Sequence, residues 1–62
     1  MIVYIGDDIL LNGKQYHVQD TNFLTLSAKV GEVDKHGLVW DTFWVEFDDI
    51  EKRVNNVEKE VL

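Results

Sequence analysis

Apolar and polar residues alternate in short runs separated by turn signals, and most of the chain reads as strands. Ile2, Val3, Tyr4 and Ile5 are a β-branched and aromatic run that stops at Gly6, which predicts a first short strand. Asp7 and Asp8 lead into Ile9, Leu10 and Leu11, and Asn12-Gly13 follows. That dipeptide is the strongest short-range hairpin signal, because a type I′ turn needs positive φ at both central residues. Lys14 to Val18 returns as the partner strand, with Tyr16 and Val18 on one face and Gln15, His17 and Gln19 on the other. Asp20, Thr21 and Asn22 form a polar break suited to a turn.

From Phe23 the alternation resumes. Leu24, Leu26, Ala28 and Val30 share the face assigned to the core, and Gly31 predicts a bulge or a sharp bend. Asp34-Lys35-His36-Gly37 has the composition of a four-residue hairpin loop. The densest apolar stretch follows, LVWDTFWVEFDD from Leu38 to Asp49, with both tryptophans and two of the three phenylalanines. Val39, Phe43, Val45 and Phe47 share one parity and supply a core side. Leu38, Trp40, Trp44 and Glu46 share the other. Asp41 breaks the apolar parity and, with Thr42, marks a bulge, a bend or a second tight turn. On one face of an extended strand, Trp40 and Trp44 stand roughly 13 Å apart.

The C-terminal part has two readings. Asp48 followed by Glu51 resembles a capping box, and Ile50, Val54, Val57 and Val61 recur at helical spacing. Asn55-Asn56 is a turn signal, and Val57, Lys59 and Val61 alternate as a strand. A helical turn through residues 49–54 followed by a short closing strand is preferred, and one continuous helix competes with it.

Composition changes this picture in two ways. With 62 residues the chain is one domain, 1–62, and it has no cysteine for a disulfide or a thiolate metal site. A domain of this size buries only about 60% of the surface its unfolded chain exposes. Its stability must come from aromatic packing or self-association. Twelve acidic residues against six basic ones give a net charge of −6. That balance disfavours binding to nucleic acid or an anionic membrane and favours a basic protein partner, or simply solubility. No apolar run approaches the roughly 20 residues of a membrane span. The start has no basic n-region, so a soluble, cytoplasmic protein is expected.

Strand signals at intervals of about ten residues predict an all-β fold, a small barrel or sandwich. Gly6-Asp7-Asp8-Ile9, Lys29-Val30-Gly31-Glu32-Val33 and Trp44-Val45-Glu46-Phe47-Asp48-Asp49 resemble the SH3-like small barrels, including those of KOW type. The resemblance implies about five strands, with a helical turn or short helix near the C-terminus before a closing strand. The charge departs from KOW nucleic-acid binders, and the clustered aromatic signature of peptide-binding SH3 domains is missing. Architecture is therefore all that the resemblance implies. Small, acidic, cysteine-free chains are also similar to many bacteriophage and prophage proteins.

No phosphate-binding loop, dinucleotide fingerprint or cysteine nucleophile is present. Ser27 is the only serine and sits within a predicted strand, which does not suit a nucleophile paired with His17 or His36. Those histidines have no ligand partners at metal spacing, so no metal site or cofactor is expected. Asp7, Asp8, Asp48, Asp49 and Glu51 would converge if the first and last strands were neighbours, although turn and cap roles explain them more simply. The sharper candidate is an aromatic patch of Trp40 and Trp44 ringed by Asp41, Glu46, Asp48 and Asp49, facing a basic, partly apolar partner; the alternative is that in so small a domain both rings are core. The expected function is a non-enzymatic protein-interaction module. Its special case is an acidic phage-type inhibitor imitating nucleic acid. The alternative is a structural subunit that buries its tryptophan face in a homo-oligomer.

Overall fold

The first hairpin forms where Asn12-Gly13 calls for it, with both residues in the left-handed region at φ +54° and +79°. The structure is a computed structural model that describes residues 1–54. Five strands run in chain order as β1 (Asp8–Leu11), β2 (Lys14–Asn22), β3 (Ser27–Val33), β4 (Val39–Glu46) and β5 (Lys52–Val54). A 3-10 turn, Phe47–Asp49, separates β4 from β5. All strands join one antiparallel sheet in the order β4-β3-β2-β1-β5, so the protein is all-β, as the alternation predicts.

The four consecutive strands form a meander, whereas β5 pairs with β1 at the far side. The chain therefore crosses from one side of the sheet to the other through Phe47–Ile50. Phe47 and Ile50 are buried in that crossing, together with Val3, Ile9, Val18, Ala28, Val30 and Val45. Each strand from β1 to β4 gives one or two side chains to this single cluster. Leu11 and Tyr16 pack against its margin.

Several expectations are corrected. Ile2–Ile5 is not a strand: Tyr4 to Asp7 is a turn in which the Asp7 N–H donates to the Tyr4 carbonyl at 3.0 Å. The Tyr4 N–H donates to the Asp7 carboxylate at 2.9 Å, and Gly6 takes φ +96°. Only Val3 of that run enters the core. Residues 20–22 are not a turn but the end of β2, and Asn22 closes the turn that follows. Its carboxamide oxygen accepts the N–H groups of Leu24 at 2.9 Å and Thr25 at 3.2 Å. This turn carries Leu24 and Leu26 out of the alternation, so Leu24 is 96% exposed and Leu26 takes φ +55°. Of the four residues assigned to that core face, Ala28 and Val30 occupy it.

At the C-terminal side the helical turn is earlier and shorter than either sequence reading. Residues 47–49 form it, and Lys52–Val54 are already strand. Glu51 does not complete a capping box, since the turn has no side-chain cap. Its carboxylate instead accepts the N–H groups of Asn12 at 2.8 Å and Gly13 at 3.4 Å, tying the crossing to the β1–β2 turn. The closing strand expected around Val57 to Val61 lies outside the described residues.

Candidate functional site

β4 stands at the end of the sheet order, with β3 as its one strand neighbour among the described residues. It is also the most apolar exposed element. Of its eight residues only Val45 is buried, while Trp40, Phe43 and Trp44 are 55%, 39% and 51% exposed. The parity count assigned Phe43 fully to the core. It sits at the core margin instead, edge-on to Tyr16 with ring centroids 5.3 Å apart.

A bulge divides the strand. Val30 pairs with Phe43 and Glu32 with Trp40, which leaves Asp41 and Thr42 together opposite Gly31. Asp41 takes φ +54°, a conformation aspartate tolerates better than most residues. Gly31 fits here because it has no side chain. A Cβ at that position would stand 2.6 Å from Val39 Cγ1, 2.7 Å from the Trp40 carbonyl oxygen and 2.9 Å from Thr42 Cγ2. Those contacts put Val39 and Thr42 on the outer face of the sheet, opposite the core.

The extra residue reverses the strand's parity. Trp40, paired with Glu32, lies on the side of Phe43 and Val45, whereas Trp44, paired with Lys29, lies on the outer face. Trp40 and Trp44 therefore do not form one flat patch, which corrects the expectation drawn from their spacing. Val39 likewise leaves the core side to which the parity count assigned it.

Trp40 is held from outside its own strand. Its Nε1–H donates to Asp34 Oδ2 at 2.7 Å, and Asp34 Oδ1 accepts the N–H groups of His36 at 2.8 Å and Leu38 at 3.0 Å. The Asp34 N–H also donates to the Leu38 carbonyl at 2.9 Å, so one residue closes the hairpin loop and fixes the indole. The Trp40 indole and then the Leu38 N–H hold the Asp34 carboxyl below its ordinary pKa. Sequence reading saw Asp34 only as a loop residue, although an Asp three residues before Gly37 is a turn signal in itself.

On the same side, Lys14 Nζ lies 2.8 Å from the Glu32 carboxylate and 5.8 Å from the Tyr16 ring centre. The hydrogen bond to Glu32 raises the Lys14 pKa. Asp41, Glu46, Asp48 and Asp49 are exposed, and the stretch from Leu38 to Asp49 contains no Lys or Arg. All six residues singled out from the sequence thus lie at the surface along β4 and the turn after it, distributed over both faces.

The other carboxylates do not join them. β1 and β5 are neighbours, but Asp8 meets His17 Nδ1 at 2.9 Å, Asp7 lies 3.8 Å from Arg53 Nε, and Glu51 holds the hairpin turn. Among the described residues no three His, Asp or Glu side chains form a group suited to a metal ion. No helix among them is long and apolar enough to cross a membrane. No family model, curated protein or solved structure matches the chain.

Proposed function

We propose that this chain is a protein-interaction module, built as an SH3-like small barrel, that engages a basic partner along β4. The observation that carries this reading is the combination on one strand of three exposed aromatic rings with carboxylates and no cation. Tryptophan is enriched at binding hot spots, and an acidic rim steers a basic partner towards them. A meander whose fifth strand returns to the first after a 3-10 turn supports the barrel assignment. Trp40 is held ready by Asp34 before any partner arrives, which lowers the ordering cost of binding.

Affinity capture from host extract with the wild-type chain, Trp44→Ala and Leu24→Ala tests this. The expected result is a basic protein retained by wild type and Leu24→Ala, lost with Trp44→Ala and released by raised salt. Equal retention by all three chains contradicts it. So does sedimentation of the free chain as a stable oligomer whose association is abolished by Trp44→Ala, the result expected of a structural subunit.

A further inference from the structure

The tryptophans lie on opposite faces, so one flat partner surface cannot cover both. An extended segment laid against the edge of β4 can, because its successive side chains point alternately to the two faces of the sheet. The backbone is suitably turned. The Phe47 N–H donates to the Leu26 carbonyl at 2.8 Å, in register with the β3–β4 pairing. By the alternation of an antiparallel ladder, Phe43 and Val45 also direct their N–H and C=O groups to β3, whereas Trp44 and Glu46 direct theirs to the other edge, where no strand pairs with β4 among the described residues.

The two edges of the sheet differ in a telling way. β5 carries Lys52 and Arg53, charges that discourage further pairing. β4 has no Pro, Lys or Arg, and it shows Trp44 on one face and Phe43 and Trp40 on the other. Its bulge at Asp41 and Thr42 shifts the register, leaving Phe43–Glu46 as the regularly paired part of the strand.

We infer that β4 receives an extended, basic peptide segment by strand addition, its backbone pairing with Trp44 and Glu46 and its side chains straddling the edge between Trp44 and Phe43. The proposal rests on the interaction-module reading and specifies its partner chemistry and binding mode. A second copy of the chain is the less suitable occupant. It brings another net charge of −6 to an edge whose own charges, Asp41, Glu46, Asp48 and Asp49, are all negative. A basic segment neutralises them, and its alternate apolar residues cover the rings.

The probe is a blocked nine-residue peptide alternating lysine and valine, titrated into the full chain and followed by amide NMR and hydrogen exchange. Controls are the glutamate–valine analogue and the lysine–valine peptide N-methylated at alternate residues. N-methylation leaves the side chains and charges in place and removes the backbone donors. Binding of the basic peptide should slow exchange at the Trp44 and Glu46 amides by at least about tenfold. N-methylation should weaken it by about tenfold, and the acidic analogue should not bind.

Equal affinity of the methylated peptide, with binding still lost in Trp44→Ala, overturns strand addition while leaving the interaction module standing. No binding of any peptide also overturns strand addition, and the capture experiment then judges the module separately. Trp44 and Glu46 amides already protected in the free chain, with protection that falls on dilution, assign the edge to a second copy and overturn both.

Discussion

Trp40 and Trp44 are four residues apart in one strand and lie on opposite faces of the sheet, because Asp41 and Thr42 together stand opposite Gly31. Everything distinctive about the candidate site follows from that single extra residue. It parts the tryptophans, and the Trp40 indole is bonded to Asp34 in the hairpin loop.

Gly31 is the position on which this geometry depends. In Gly31→Ala the new methyl group meets the Trp40 carbonyl oxygen, a backbone atom that cannot swing away as a side chain can. The substitution should destabilise the fold by about 1–3 kcal/mol. Urea unfolding measures it, and an unchanged midpoint would show that the bulge is not tightly packed.

Asp34 gives the site a pH dependence. Its folded pKa lies below the ordinary 3.8, so the stability it contributes is complete above that value and is lost as pH falls through the folded pKa. Wild type should therefore exceed Asp34→Asn in urea midpoint at neutral pH, and the gap should close in strong acid. Trp40→Phe, which removes the indole hydrogen bond to the carboxyl, should raise the acid midpoint of the remaining dependence. A gap that persists unchanged to the acid limit would contradict an ionised anchor.

Glu51 binds the crossing to the β1–β2 turn through the amides of Asn12 and Gly13. Glu51→Ala should cost about 0.5–1.5 kcal/mol and speed amide exchange at those two residues above all others. Glu51→Gln, which keeps an acceptor oxygen, should recover part of both effects. Uniformly faster exchange across the sheet would instead mean that the contact is not local.

Core membership separates residues that the alternation treats alike. Leu24 and Val30 were assigned to the same face, yet Leu24 is almost fully exposed and Val30 is buried. Leu24→Ser should alter stability by less than about 0.5 kcal/mol, whereas Val30→Ala should cost about 2 kcal/mol. Comparable losses at both positions would contradict the turn at Phe23–Leu26.

The contrast between those two residues shows what the sequence made legible. Asn12-Gly13 names its own turn because few residue pairs take positive φ twice in succession, and Asp34 to Gly37 is legible for similar reasons. Phe23-Leu24-Thr25-Leu26 is a turn made partly of apolar residues, and its chemistry comes from Asn22, one position earlier. Alternation runs through it without a break, so parity counting continues into residues that no longer belong to a strand. The site was half legible in the same way. Asp41 and Gly31 each signalled an irregularity, but that they face each other is a matter of register, which depends on the pairing of two strands. The role of Glu51 was hidden for the same reason: its partners lie 39 and 38 residues away.

The central claim is that β4 binds a basic partner through its aromatic edge. It is tested most directly by titrating the captured partner against wild type, Trp44→Ala and Glu46→Gln at low and high salt. The account predicts that Trp44→Ala weakens binding by at least about tenfold. It also predicts that Glu46→Gln reduces the salt dependence and that wild-type affinity falls steadily as ionic strength rises. An affinity indifferent to salt, and equal in wild type and Trp44→Ala, would contradict it.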